Sequence, residues 1–150
     1  MAMLAHRQAT DGAEILFHLR FPARADRLKL IRAGIAGAAE MCGFPAPQVF
    51  DIVLAVDEAC QNIIRHAYKG DDNGEAMIEV YRLANGIRVT LHDDGPPVNP
   101  AEINPRPLEE VAPGGLGTHF MRQIMDRVDY QPAHGGRGNI LELSKYLEQT

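Results

Sequence analysis

Basic clusters are missing from this chain, and so are long apolar runs. Its 15 Lys and Arg residues are spread thinly against 20 Asp and Glu, for a net charge of −5. Nucleic acids and anionic membranes are read by concentrated positive charge, so neither is expected as a direct partner. No stretch approaches the roughly 18 consecutive apolar residues of a membrane-spanning helix, and the N-terminus lacks the basic, apolar and small-residue order of a signal peptide. A cytoplasmic location is expected. The only cysteines, Cys42 and Cys60, lack the CxxC spacing of zinc or redox sites and read as small buried hydrophobes. The motifs GxxxxGK[ST] and GxGxxG are also absent, which removes P-loop and dinucleotide-binding readings.

What is present suffices for one domain spanning residues 1–150. Apolar residues make up 45% and charged residues 23% of the chain, an ordinary globular balance, and a chain of this length buries about two thirds of its unfolded surface. Residues 1–12 carry no period and read as a flexible tail. From Glu14 to Arg20 the sequence alternates, with Ile15, Phe17 and Leu19 on one side, which predicts a strand ended by Pro22. Residues 24–41 predict a first helix with Leu28, Ile31, Ile35 and Ala38 inward. Gly34 and Gly37 within it suggest either close approach of another backbone or a docking surface. Gly43 is placed to cap this helix, and Pro47 to open a second one running to about Tyr68.

The second helix carries the chemistry. Val49, Ile52, Val53, Val56, Cys60, Ile63 and Ala67 form its buried stripe. Glu58, Asn62 and His66, each four residues apart, form an adjoining row. A strand over 75–83, the Asn85-Gly86 turn signal and the alternating Ile87, Val89 and Leu91 predict a hairpin whose second strand ends at His92-Asp93-Asp94-Gly95. Residues 96–113 are proline-rich and without period, which marks a functional or mobile loop. They lead into Gly114-Gly115-Leu116-Gly117 and then Phe120, Met121, Ile124, Met125 and Val128 at helical spacing. A glycine loop entering a helix N-terminus is a phosphate-binding arrangement. Strands near 128–131 and around Leu141 and Leu143 complete the chain. The order implies an α/β two-layer sandwich, a mixed, largely antiparallel sheet with helices on one face.

Any one of Glu58, Asn62, His66 and Asp93 is most simply a surface or turn residue; jointly, and in this order, they match a nucleotide. Asp93 can accept from an exocyclic amine, which favours adenine over guanine. Asn62 offers a neutral oxygen suited to Mg²⁺, whose other positions water and phosphate would fill. Glu58 can take a proton from, or orient, an attacking hydroxyl. Gly115 and Gly117 allow the backbone to approach phosphates. His66 has no second His or Cys at ligand spacing, which disfavours a metal-ligand or phospho-acceptor role.

These segments, Glu58-x-x-x-Asn62-x-x-x-His66-Ala67-Tyr68, Asp93-x-Gly95 and Gly115-x-Gly117, resemble the N, G1 and G2 boxes of the GHKL ATPase superfamily, and most closely those of stand-alone RsbW-type anti-sigma-factor serine/threonine kinases. The resemblance extends from Phe21-Pro22-Ala23 to Leu143-Ser144-Lys145-Tyr146-Leu147. It implies a Bergerat-type, histidine-kinase-like ATPase fold with residues 96–113 as the ATP lid. It implies Glu58 as catalytic base, Asn62 on Mg²⁺, and ATP contacts from Asn62, His66, Asp93, Gly95, Gly115, Leu116, Gly117 and Thr118. It further implies a homodimer that phosphorylates a small STAS-type anti-anti-sigma protein and otherwise sequesters a sigma factor, with the first helix in partner contacts. The chain departs from the pattern at Pro97, where a second glycine is usual, at Thr118-His119, and at Asn139, where a Thr is common. Two other readings stand beside the kinase: a catalytically silent ATP-binding interaction module, and a free-standing histidine-kinase-type domain, which is disfavoured because no dimerisation helix with a phospho-acceptor His precedes the site.

Overall fold

The structure, a computed structural model, describes residues 12–67, 74–96, 116–133 and 138–149, with residues 66, 67 and 116–119 described by backbone alone. Its strands are β1 (Glu14–Pro22), β2 (Glu75–Leu83), β3 (Gly86–Asp93), β4 (Arg127–Pro132) and β5 (Asn139–Tyr146). They form one sheet in the order β1-β2-β3-β5-β4. Every pairing is antiparallel, so the mixed component of the expected sheet is absent among the described strands. Its helices are α1 (Leu28–Met41), α2 (Ala46–Asn62) and α3 (Leu116–Ile124), and α2 packs between α1 and α3. None of the described helices is long and apolar enough to cross a membrane.

Alternation along the strands decides which sheet face meets the helices. Phe21, Ala76, Ile78, Val80, Ile87, Val89, Leu91, Leu141 and Leu143 join the helix residues Ile31, Ile35, Ile52, Val56 and Cys60 in one core. In β1 the alternation is broken. The register shifts between Ile15 and Phe17, so Ile15 lies opposite Tyr81 while Phe17 lies opposite Val80. A β-bulge therefore parts Ile15 from Phe17 and Leu19, correcting the expectation that all three share a face.

The first helix begins with a short 3-10 turn, Ala25–Arg27, before α1 proper. It ends as the glycine signal implies. Gly43 has φ +95, its N–H reaches Glu40 O, and the Phe44 N–H reaches Ala39 O, the paired bonds of a Schellman cap. The two internal glycines have different causes. A Cβ on Gly34 would stand 3.0 Å from the Phe17 ring, whereas one on Gly37 would meet nothing within 4 Å. The close neighbour at Gly34 is thus a side chain rather than a backbone, and packing does not account for Gly37.

Three local expectations shift. The second helix leaves α geometry at Ile63, and Ile63–Ala67 form a π turn; Tyr68 lies outside the described residues. Val128 belongs to β4, opposite Leu143, because α3 stops at Ile124, where Lys145 Nζ donates to the Ile124 carbonyl at 2.7 Å, a cation at a helix C-terminus. The β2–β3 hairpin forms with Leu83 opposite Gly86, so its two loop residues are Ala84 and Asn85. Gly86 is required for a different reason: a Cβ there would run into the Lys145 carbonyl of β5. The tail 1–11 and all of 97–115 lie outside the described residues.

Candidate functional site

The middle helix presents two neighbouring carboxylates in different directions, because successive residues on a helix are about 100° apart. Asp57 turns to α1. Its Oδ1 accepts from Arg32 Nε and its Oδ2 from Gln61 Nε2, both at 2.7 Å, which pins α1 to α2 and stiffens the helix beneath the site. Glu58 turns the other way, with its side chain 21% exposed. Arg65 Nη2 donates to Glu58 Oε1 at 3.0 Å and to Asn62 Oδ1 at 2.9 Å. The acid and the amide, one turn apart, thus converge on a single cationic nitrogen.

Asp93 ends β3 on the helix-facing side of the sheet, in register with Ala76 and Asn139. Its Oδ1 accepts from the Gly95 N–H at 2.9 Å and from Asn139 Nδ2 at 3.0 Å, while Oδ2 has no partner among the described residues. Burial pushes the Asp93 carboxyl above the usual carboxylate range, and the bonds from Asn139 and Gly95 oppose that rise. Asn139, itself buried, also bonds the Pro96 carbonyl at 2.9 Å. Gly138 precedes it at φ +81, where a Cβ would strike the Asp93 carbonyl. One oxygen of Asp93 is thereby fixed by two donors.

Tyr130 of β4 links the two halves. Burial drives its phenol up to about 12; the Arg122 cation opposes this, and the Asp93 and Glu58 carboxylates add to it. The Asp93 and Glu58 carboxylates and the Arg122 guanidinium thus all act electrostatically on one half-buried phenol. The Arg122 Nε is buried and has no hydrogen-bond partner among the described residues.

Of the residues singled out in the sequence, Glu58 and Asn62 share the Arg65 guanidinium, and Gly95 holds Asp93 at the end of β3. Leu116, Gly117 and Thr118 form the first turn of α3, which packs on α2. Gly115 and the side chain of His66 lie outside the described residues. Sequence reasoning missed Arg65, Arg122, Tyr130 and the supporting role of Asn139. Arg65 alone was within reach of it, standing seven residues after Glu58 on the same helical face. The cysteine reading holds: both thiols are free and buried, and burial pushes the Cys60 thiol up to about 12.

Among the described residues no group of three or more His, Cys, Asp or Glu gathers to hold an ion. A magnesium ion keeps most of its water and phosphate ligands and needs only one or two protein oxygens. The Asn62 and Glu58 oxygens, which already surround a cation, fit that requirement.

Comparison with known proteins agrees with this geometry. The family described as Histidine kinase-like ATPase domain matches residues 21–145. Serine-protein kinase RsbW of Bacillus cereus (strain B4264) is 32% identical over 140 residues, covering 87% of this chain and 84% of that protein; the RsbW of Bacillus anthracis is 31% identical over the same shares. In fold, the chain resembles the SiaB–SiaC complex structure from Pseudomonas aeruginosa, with TM-score 0.67 at 15% identity over 95% of this chain and 96% of that one. It also resembles the RsbU and RsbW domains of a Mycobacterium tuberculosis protein, with TM-score 0.61 at 17% identity over 87% of this chain and 31% of that one. The chain belongs to the histidine kinase-like ATPase family and, within it, to the RsbW-type serine-protein kinases.

Proposed function

We propose that the protein is an ATP-dependent serine/threonine protein kinase that acts as an anti-sigma factor, phosphorylating a STAS-type anti-anti-sigma protein and otherwise holding a sigma factor. The observation that carries this reading is the convergence of the Glu58 acid and the Asn62 amide, one helical turn apart, on a single nitrogen of Arg65, with Asp93 held at the end of β3 by Gly95 and Asn139. Asp93 Oδ2 accepts from the adenine amine. Asn62 Oδ1 would hold Mg²⁺, and the first turn of α3, with Gly117, would receive phosphate oxygens at its positive end. ATP with its magnesium supplies a transferable phosphoryl group whose charge the metal neutralises. Glu58 orients the partner's hydroxyl and takes its proton. His66, Gly95, Gly115, Leu116 and Thr118 complete the nucleotide contacts in this reading.

The partner surface has a physical candidate. Leu30 and Met41 on α1 are 62% and 60% exposed, and with the exposed Ala33 and Gly37 they make an apolar stripe at helical spacing. Such a stripe, flanked by Arg32 and Glu40, suits a protein partner, and we assign the chain a homodimeric state in which α1 stays accessible. The Arg65–Glu58 ion pair favours the competing reading, a catalytically silent ATP-binding module, because the acid is already engaged.

Phosphate transfer decides between them. With Mg²⁺ and labelled ATP, label should pass to a serine or threonine of a candidate anti-anti-sigma protein and be lost in Glu58→Ala while ATP binding persists. Tight ATP binding with no transfer to any such protein supports the module instead.

A further inference from the structure

We propose that Arg65 is a resident cation that occupies the magnesium position until Mg·ATP displaces it, so that this side chain sets how strongly nucleotide binding depends on the metal. The inference rests on the nucleotide reading above. Its basis is one atom. Arg65 Nη2 stands 3.0 Å from Glu58 Oε1 and 2.9 Å from Asn62 Oδ1, the two oxygens that the proposed reaction needs for proton uptake and for metal. The guanidinium compensates the Glu58 charge, which the two-turn spacing along the helix places within its reach.

Both cations cannot hold the same oxygen. Magnesium binds oxygen at about 2.0–2.1 Å, so an ion on Asn62 Oδ1 would come within about 5 Å of Arg65 Nη2, and like charges that close repel. Glu58 must likewise let go of the guanidinium before it can accept a proton. The handover is physically easy. Arg65 is 44% exposed, its flexible stem can carry the charge out to water, and exposed ion pairs are individually weak. It sits at the middle of the π turn Ile63–Ala67, the kind of helix irregularity that recurs at functional positions. Arg65 is thus a positioning residue: it keeps the acid and the amide aimed at one point.

Calorimetric titration of the full chain with ATP, once in Mg²⁺ and once in EDTA, tests this on wild type, Arg65→Gln and Arg65→Lys. Arg65→Gln should tighten binding in Mg²⁺ by about two- to fivefold, the upper weight of an exposed ion pair, while binding in EDTA stays within about 1.5-fold of wild type. Arg65→Lys, which keeps the charge, should stay near wild type. An unchanged Mg²⁺-to-EDTA ratio in Arg65→Gln overturns the inference, as does weaker binding in Mg²⁺, which would place Arg65 on the phosphates. Wild type that binds no ATP in either buffer overturns the nucleotide reading and this inference with it. Wild type that binds while the ratio stays fixed overturns this inference alone.

Discussion

Replacing Asn139 with Ala should destabilise the protein in a way that depends on pH, and the dependence isolates what Asn139 does for Asp93. Asn139 Nδ2 makes two bonds, to Asp93 Oδ1 and to the Pro96 carbonyl. A bond to an ionised acceptor contributes about 1.5–3 kcal/mol and a neutral one about 0.5–1.5, so the variant should lose about 2–4 kcal/mol at neutral pH. For a domain of this size that lowers Tm by roughly 5–15 °C. The sign of the pH effect follows from linkage. Burial raises the Asp93 carboxyl above its unfolded value, so the charged form costs stability at neutral pH, and that cost fades as pH falls through the raised value. Asn139 favours the charged form, so its removal raises the carboxyl further. The loss in the variant is therefore complete above the variant's own Asp93 pKa and shrinks as pH falls below it, leaving about 1 kcal/mol from the neutral bond. Urea unfolding of both proteins in steps from about pH 7 down to about pH 4, toward the ordinary carboxyl value, measures this. An equal loss at every pH would refute the claim that Asn139 serves the Asp93 charge.

Gly138→Ala places a side chain at φ +81 and against the Asp93 carbonyl; the left-handed backbone alone costs about 1–2 kcal/mol, so thermal melting should fall by at least several degrees and ATP affinity should drop with it. A variant as stable and as tight-binding as wild type would contradict the close approach of these backbones. Asp57→Ala removes the acceptor shared by Arg32 and Gln61 and should cost about 1–3 kcal/mol, read by urea midpoint; Glu58 and Asn62 sit on the same helix, so loss of ATP affinity beyond the loss of stability would show that the α1–α2 clamp also aims the site. Glu79→Ala on the opposite sheet face strips partners from Tyr81 OH, at 2.7 Å, and His92 Nε2, at 2.5 Å. It should destabilise by about 2–4 kcal/mol without changing the Kd for ATP, and a selective loss of ATP binding would connect that face to the nucleotide.

What the sequence disclosed was whatever a single element contains. Glu58 and Asn62 are one helical turn apart, so their convergence needs only the helix; the stripe from Val49 to Ile63 follows from the same period. Asp93 at a strand end was legible because the hairpin signal fixes where β3 stops. Asn139 lies 46 residues from Asp93 and becomes its partner only because β5 inserts between β3 and β4, a strand order that no local period encodes. Tyr130 reaches the cleft through the same topology. The hairpin shows the limit on a smaller scale. Asn85-Gly86 was rightly taken as a turn signal, yet the glycine is demanded by the Lys145 carbonyl on a strand nearly sixty residues later, so the loop falls one residue earlier. Val128 fits both the helical stripe and the strand expected near 128–131, because an apolar residue at the next helical position looks the same whether it continues a helix or enters a buried strand; the structure places it in the strand.

The insertion of β5 between β3 and β4 also governs how the protein can be assembled. Pairing of β1, β2 and β3 needs nothing beyond Asp93, but the Asp93 carboxylate acquires its rear support only when residues 138–146 add to the sheet edge beside it. The setting of Asp93 is therefore completed late along the chain, and a nascent or clipped polypeptide that stops short of Asn139 would hold a helix bearing Glu58 and Asn62 yet leave the Asp93 carboxylate without its amide partner.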